Sequence, residues 1–246
     1  MRTSSTNVIW IGIAACDLVC MMVVARNGYL TLSWMLMPYT PPRTMLQMRL
    51  DSFLISVHNA LRRSSAWLGT LMTVVRYLVI SDMTNQKNEY ATPKFGLKVV
   101  AGSYAISFLC TLAFNFHLEL EQYGEWYPGE ECGMENVSYP IFKLKVNQFS
   151  EIEDCVSMRG GLVVEGIFSK LAPSLALPVL TVLLLSEIRK FSKVEPKTSN
   201  QKLRISRKDR TTIITIFIAL LFFASEFPVG VADIYKGVWT RNLVYK

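Results

Sequence analysis

The sequence predicts an all-α membrane protein, because of its composition, its five long apolar segments and the unequal charge of its loops. Of the 246 residues, 51% are hydrophobic and only 18% are charged, and the mean hydropathy is +0.28. Soluble domains have about 25% charged residues. A helix that is hydrophobic on all sides lies in a deep core or in a membrane, and this chain is too short to build a soluble core around five of them.

Each apolar segment is long enough to cross a bilayer, since a helix needs roughly 20 residues to span roughly 30 Å of hydrocarbon. We predict one transmembrane domain over residues 1–246, with spans at 5–25, 53–80, 97–116, 163–187 and 210–235. The second span is the least hydrophobic, because it contains Arg62, Arg63 and Arg76.

The two long loops differ in charge, and this difference predicts the orientation. The predicted loop 117–160 has nine acidic and three basic residues, whereas the segment 187–210, around the predicted loop 188–209, has three acidic and nine basic residues. Lys and Arg accumulate on the cytoplasmic side, so loop 188–209 is predicted inside and loop 117–160 outside. The basic residues flank membrane spans instead of covering one compact face, which excludes a nucleic-acid partner.

The predicted outer loop contains an N-glycosylation sequon at Asn136. Cys132 and Cys155 lie in the same loop, which faces an oxidising compartment. They can form a disulfide with each other or with another cysteine, and their spacing does not decide between these pairings. No catalytic constellation, phosphate-binding loop or metal-ligand spacing occurs in the sequence. We therefore expect no enzyme, no organic cofactor and no metal held by a cluster of ligands.

Several stretches are similar to receptor helices. Residues 61–72, LRRSSAWLGTLM, followed by Arg76 and Tyr77, resemble the third helix of serpentine receptor class W, a nematode chemoreceptor-type family related to FMRFamide-like peptide receptors. Residues 222–230, FFASEFPVG, resemble the sixth helix of that family, and residues 13–18, IAACDL, resemble the second helix of rhodopsin-like G-protein-coupled receptors. On this alignment the spans are helices two to six of a seven-transmembrane bundle, and the chain is a fragment without helices one and seven.

The resemblance implies a receptor in the plasma membrane that passes the binding of an extracellular neuropeptide or chemosensory ligand to a heterotrimeric G protein by movement of helix six. Arg76 and Tyr77, at the predicted cytoplasmic end of their span, are the candidate G-protein contacts. An arginine that snorkels to the headgroups is the alternative for Arg76. Asp17 is a candidate activation switch with a sodium or water site, and a protonated, hydrogen-bonded aspartate is the alternative.

Further charged residues in the spans are candidates for a ligand pocket, since an ionisable group in the bilayer is costly and needs a partner. Arg62 and Arg76 fall on one stripe of their helix, so Arg62 is expected to face the interior with Arg76. We predict an ion pair between Arg62 or Arg63 and Glu226 that the ligand remodels. A static structural pair is the alternative.

The sixth-helix segment supplies two more candidates. Pro228 removes a backbone hydrogen bond and is expected to form a hinge in the activation switch beside Glu226. Asp233 lies on nearly the same side of the helix as Glu226 and is expected to line the outer cavity. These carboxylates, with the acidic outer loop, indicate a positively charged ligand.

Two other classes of function remain as alternatives. A transporter or channel would predict internal repeats or interrupted charged helices, and the sequence has no repeat. A non-signalling membrane remnant is the second alternative.

Overall fold

The computed structural model describes residues 4–37, 41–81, 89–128, 138–146, 156–194 and 199–239. Most of this part of the chain is helical. The helices are α1 (Ser5–Leu36), α2 (Met45–Ser81), α3 (Pro93–Asn115), α4 (Val156–Glu165), α5 (Ala172–Val194) and α6 (Ser199–Trp239). A short 3₁₀-helix (Glu89–Ala91) precedes α3, and two strands, β1 (Leu118–Trp126) and β2 (Tyr139–Val146), follow it.

Helices α2 and α3 begin at sequence-encoded caps. At the start of α2, the Thr44 hydroxyl accepts a hydrogen bond from the Gln47 amide at 3.4 Å, and the Gln47 side chain accepts one from the Thr44 amide at 3.1 Å. This reciprocal pair is a capping box. At the start of α3, Thr92 accepts a hydrogen bond from the Phe95 amide at 3.4 Å, and Pro93 takes the first helical position, where its missing N–H has no cost.

The helices extend beyond the predicted spans. Helix α1 continues from the predicted limit at residue 25 to Leu36, two residues before Pro38, because no proline interrupts it earlier and a proline disfavours helix in the residue before it. Helices α5 and α6 likewise form helix over most of the predicted inner loop 188–209. The predicted span therefore reflects the length of the apolar segment, whereas the observed end of the helix reflects the backbone preferences of the residues there.

Helix α4 joins α5 through a π-helical turn, Gly166–Leu171, so that Val156–Val194 forms one continuous helical segment. The Ala172 amide donates to the Ile167 carbonyl, five residues earlier. Pro173 follows directly and has no N–H with which to restore the usual α-helical bond. The wider turn changes the direction of the side chains before Pro173, and such turns often occur at functional sites.

The predicted outer loop 117–160 contains an antiparallel hairpin that the sequence analysis did not predict. Its register pairs Glu121 with Lys143, and an irregularity after Gln122 accommodates one extra residue in β1. Lys145 lies 3.3 Å from Glu121. Just after β1, the exposed Tyr127 hydroxyl donates a hydrogen bond to Glu125 at 2.9 Å, and this bond raises the pKa of Tyr127 above its usual value.

The chain divides into two compact units. The first contains 1–14, 63–105 and 159–246, and the second contains 15–62 and 106–158. In the first unit, α2 lies against α1 and α3 in an apolar core formed by Ile9, Leu68, Met72, Val75 and Val100. The Tyr104 hydroxyl also donates to the Gly12 carbonyl at 2.9 Å. In the second unit, the Asn115 amide of α3 donates to the Ser56 hydroxyl of α2 at 2.9 Å.

Within the described ranges, three helical segments are long and apolar enough to span a membrane: Ser5–Leu36, Pro93–Asn115 and Gly160–Glu187. Large apolar side chains of α1, including Ile11, Leu18 and Met21, are exposed, as expected for a helix in contact with lipid. Helices α2 and α6 are not among the three; the arginines and polar residues of α2 lower its hydropathy.

Candidate ligand and signalling sites

Arg63 lies at the centre of the most buried charged group that the structure describes. Only 3% of its side chain is exposed. Its Nε donates to the Ser169 hydroxyl at 2.7 Å, and its Nη2 pairs with Glu165, whose side chain is 29% exposed. The contact joins α2 to the end of α4 and to the π turn. A buried guanidinium needs this kind of pairing, since an isolated charge in low dielectric is very costly.

Trp67, one turn after Arg63, holds the π turn against α2. Its indole Nε1 donates to the Phe168 carbonyl at 3.1 Å. The Trp67 and Phe168 rings also lie with their centroids 5.0 Å apart, within the usual range for an aromatic pair. The indole bond satisfies a carbonyl in the π turn, where the regular α-helical bonding pattern is broken.

A second ion pair joins the π turn to α6. Lys170 pairs with Asp233, and both side chains are largely buried. Lys236, one turn further along α6, lies 3.7 Å from the other Asp233 oxygen. Asp233 therefore interacts with two ammonium groups, one from each of the two contacting segments.

Two glycines allow α6 to approach the π turn closely. A Cβ on Gly166 would lie 3.1 Å from the Gly230 carbonyl oxygen and 3.0 Å from Ile234, and a Cβ on Gly230 would lie 3.1 Å from Leu171 and from Lys170. Both positions are tight, so a side chain at either one would require its neighbours to shift. The backbones pack directly against each other one turn before Asp233, which brings Asp233 within reach of Lys170.

We call Arg63, Glu165, Ser169, Lys170 and Asp233 the π-turn cluster. It connects α2, the π turn and α6 by side chains of both charges, in a mostly apolar surrounding. Charged groups in such a place are energetically sensitive, because each loses more on separation than a surface pair does. A ligand that presents a charge can exchange partners with either pair.

The burial of Arg62 and Arg63 in the structure differs from what the sequence predicted. Arg63 is buried, whereas Arg62, which was expected to face the interior with Arg76, is exposed. The expected single interior stripe shared with Arg76 does not hold for Arg62, because α2 is packed on several sides, by α1, α3, α5 and the π turn. Glu226 is half-buried in α6. The carboxylate that pairs with Arg63 in the π-turn cluster is Glu165, and the predicted pairing with Glu226 stays a prediction.

Asp17 lies in α1 on an exposed position. The thiol of Cys20, three residues after Asp17, donates to the His58 carbonyl at 3.7 Å. The sodium site remains a prediction. Within the described ranges, no three His, Cys, Asp or Glu side chains are grouped to hold a metal ion.

Arg76 and Tyr77 lie near the end of α2, five and four residues before Ser81, and both are half-buried. Their neighbour Val75 is packed in the apolar core of the first unit. Pro228 lies inside α6, two residues before Gly230. Cys132, Cys155 and Asn136 lie outside the residues that the structure describes.

The sequence comparisons identify the family. A family model described as "Serpentine type 7TM GPCR chemoreceptor Srw" matches residues 1–246. The chain belongs to this family. A search of curated proteins finds no match to the chain.

Membership of the Srw family confirms the predicted fold class and receptor class. An Srw chain is an all-α, multi-pass membrane protein and a chemoreceptor, not an enzyme. The described helices α1, α2, α3, α4–α5 and α6 supply the five predicted segments of its bundle. Ligand and G protein are the partners that the family implies.

The main partners in the π-turn cluster were not predicted from the sequence. Lys170 could have been found, because it is the single basic residue in its predicted span and a charge in a span requires a partner. Glu165 was harder to recognise, since it lies at the outer edge of the same span. The π turn itself had only one sequence signal, Pro173 after a run without proline.

Proposed function

We propose that this Srw chemoreceptor binds a positively charged extracellular ligand at the π-turn cluster and passes the binding to a heterotrimeric G protein by movement of α6. The Lys170–Asp233 ion pair is the observation that carries the proposal. It is a charge contact between α6 and a neighbouring segment, and a charged ligand can compete for it. The receptor acts in the plasma membrane, and its ligand is an amidated basic peptide or a cationic chemosensory compound.

The ligand charge follows from the burial of the cluster. Arg63 is almost fully buried, whereas Glu165 is the more exposed member of its pair. A cationic ligand can therefore approach Glu165 more readily than Arg63, whereas at Asp233 it has to displace both Lys170, which is equally buried, and the exposed Lys236. If it takes Asp233 from Lys170, the free energy of the ion pair no longer holds α6 to the π turn. A ligand shifts a conformational equilibrium only by its difference in affinity for the two states, and this exchange supplies such a difference.

The movement of α6 has a structural basis close to the cluster. Pro228 lies five residues before Asp233 inside α6, and a proline removes one backbone hydrogen bond and favours a kink. Gly230, between them, packs against the π turn without a side chain. Release of Lys170 would let the outer end of α6 turn about this contact.

Arg76 and Tyr77 are the proposed G-protein contacts. Arg76 lies 13 residues after Arg63 on the same helix, which corresponds to about 20 Å along the axis. A guanidinium has five donors in a planar fork and suits carbonyl and carboxylate partners. When the cytoplasmic ends of the helices separate, Arg76 would reach a helix of the G protein, in the manner of other switching transitions between packed helices.

Ligand-evoked signalling tests the proposal. The chain is expressed with a promiscuous Gα subunit, and calcium is recorded during application of a pool of synthetic amidated peptides that contain arginine. The expected result is a response that disappears in Arg76→Ala at equal surface expression and persists in Arg49→Ala, since Arg49 is an exposed arginine at the other end of α2. A response of normal size in Arg76→Ala would contradict the G-protein role.

The ligand site is tested separately. Asp233→Asn removes the carboxylate from the Lys170 pair, and we expect higher basal signalling with a peptide response at least tenfold less sensitive, because one charged contact is worth about 1.5–3 kcal/mol. Lys143→Gln, on the hairpin, is the matched loss of one charge outside the cluster. Equal sensitivity of Asp233→Asn and the unmodified chain would exclude Asp233 from the site.

A further inference from the structure

Asp51 forms a second charged group, separate from the π-turn cluster. This carboxylate near the start of α2 is only 6% exposed. Arg26 of α1 lies 2.6 Å from its Oδ1, and Arg43, which precedes α2, lies 2.6 Å from its Oδ2. We call Arg26, Arg43 and Asp51 the Asp51 clasp. It joins three positions that are distant in sequence, all within the second compact unit.

The clasp has an excess of positive charge and unused donors. Two guanidiniums share one carboxylate, so the group has a net charge of +1. Each guanidinium has five N–H donors. Arg43 Nη1 donates to Asp51 Oδ2, whereas Arg26 Nη2 lies beside Asp51 Oδ1 in an ion pair, and Arg26 Nη1 donates to Asn27 Oδ1 at 3.5 Å. Within the described residues, Asp51 is the acidic partner of both arginines.

The two arginines are oriented and accessible. The Arg43 guanidinium lies 5.2 Å from the centre of the Trp34 ring, which restricts its rotation by a cation–π contact. The side chains of Arg26 and Arg43 are 34% and 32% exposed. Both side chains therefore remain about one-third exposed while they contact the buried Asp51. Two partly exposed guanidiniums held beside one carboxylate are suited to bind an oxyanion through their remaining N–H donors.

The position of the clasp agrees with such a ligand. Arg26 is 21 residues after the start of α1, or about 32 Å along the helix axis, compared with a hydrocarbon thickness of about 30 Å. The clasp thus belongs at a headgroup level, on the side that the loop charges predict to be extracellular. We infer that the Asp51 clasp is an oxyanion-binding site, which takes a phosphate, sulfate or carboxylate from a lipid headgroup or from solution.

Direct binding of phosphate tests the site. The full chain is placed in nanodiscs of neutral phosphatidylcholine, and binding of radiolabelled inorganic phosphate is measured at constant ionic strength. Arg26→Gln and Arg43→Gln should each weaken binding at least about tenfold, because each removes charge-assisted hydrogen bonds. Arg49→Gln, the same change at an exposed arginine outside the clasp, should bind phosphate like the unmodified chain. Measurable phosphate binding that is equal in Arg26→Gln, Arg43→Gln and the unmodified chain would overturn the inference.

A second arm distinguishes the two sources of the oxyanion. In nanodiscs that contain phosphatidylglycerol, native mass spectrometry counts the anionic lipids that remain on the protein. Retention on the unmodified chain, with loss in both glutamine variants, identifies a headgroup site even if free phosphate does not bind. If neither free phosphate nor phosphatidylglycerol depends on Arg26 and Arg43, the clasp is purely structural and the inference is wrong.

Lysine substitutions keep the test decisive if the glutamine variants do not fold. Arg26→Lys and Arg43→Lys preserve both positive charges beside Asp51 and remove only the planar forks. Folding is checked by thermal unfolding in the same nanodiscs. The expected result is a chain of near-normal stability with weaker phosphate or lipid binding. Full binding by both lysine variants would exclude the two-fork geometry.

Discussion

Arg62 and Arg63 are adjacent in the chain, yet one is exposed and the other is almost fully buried. The cost of burying the Arg63 guanidinium is offset by Glu165 and the Ser169 hydroxyl together. Removal of one partner from such a pair is more damaging than the net value of the pair, because the remaining charge cannot easily be hydrated. The more buried partner should therefore depend more strongly on the less buried one than the reverse.

This asymmetry gives a stability prediction for Glu165. Glu165→Gln leaves the buried guanidinium with one carboxylate fewer, and we expect a loss of about 1–3 kcal/mol, reduced from the value for a fully buried pair because Glu165 is partly exposed. Arg63→Gln should cost less, since Glu165 can hydrate. Thermal unfolding of the purified chain in one detergent provides the comparison. A larger loss in Arg63→Gln would show that another contact dominates at this position.

Asp17 gives a second prediction at the residue scale. If sodium binds there, replacing potassium with sodium at about ten times the sodium dissociation constant should stabilise the receptor by about 1.4 kcal/mol. Asp17→Asn should abolish this stabilisation. Thermal unfolding in the two salts measures the effect in both chains. Equal sodium stabilisation of Asp17→Asn and the unmodified chain would place the ion elsewhere or exclude it.

The sequence predicts which charged residues need a partner. It does not predict which residues those partners are. Arg63, Glu226 and Asp233 were all identified as charges within spans. The partner of Arg63 depends on the rotation of the π turn, which turns Ser169 and Lys170 away from their regular α-helical directions. A 3.6-residue periodicity cannot describe such a turn, and the burial of α2 on several sides removes the single interior stripe on which the Arg62 expectation relied.

At the scale of elements, the close contact between the π turn and α6 depends on two glycines, which have no side chain. Gly166 and Gly230 meet where a Cβ at either position would be 3.0–3.1 Å from its nearest neighbour. Helical glycine is unfavourable by about 1 kcal/mol relative to alanine, so its use here indicates that close packing outweighs helix propensity. The Lys170–Asp233 ion pair depends on this approach.

Gly230→Ala should therefore destabilise the receptor despite the better helix propensity of alanine. The new methyl group would contact Leu171 and Lys170 at 3.1 Å, and overpacking of this kind typically costs about 1–3 kcal/mol. Gly102→Ala in α3 is the matched control, because its Cβ has nothing within 4 Å, and it should be neutral or slightly stabilising. Thermal unfolding compares the two, and an equal effect would show that the π turn tolerates a side chain.

The elements themselves were largely predictable. All five apolar segments correspond to helices, and the caps at Thr44 and Thr92 have recognisable sequence signals. The ends of α1 and α6 and the hairpin in the acidic loop were not predicted. Hydropathy detects where a helix meets lipid and has no signal for a helix that continues into water. The sequence did contain one signal for β1: residues 118–121, LELE, alternate apolar and acidic side chains, the pattern typical of a half-buried strand.

At the scale of the whole molecule, the distribution of charge predicts one orientation. If each helix crosses the membrane once, the acidic loop and the Asp51 clasp lie on one side of the membrane, and the basic segment 187–210 lies on the other. The basic residues between Arg26 and Arg49 count against this orientation, because they lie in a predicted outer segment. Two of these, Arg26 and Arg43, are paired with the buried Asp51, so their contribution to a positive-inside signal is reduced.

Cysteine labelling on cells tests this orientation directly. Lys143→Cys, on the exposed side of β2, should react with a membrane-impermeant maleimide on intact cells. Lys94→Cys, at the exposed start of α3, should react only after permeabilisation, because α3 begins on the side where α2 ends. The unmodified chain, with its own five cysteines, gives the background. Labelling of Lys94→Cys but not Lys143→Cys on intact cells would show that the receptor has the opposite orientation. Arg76 would then lie on the extracellular side, where no G protein is present.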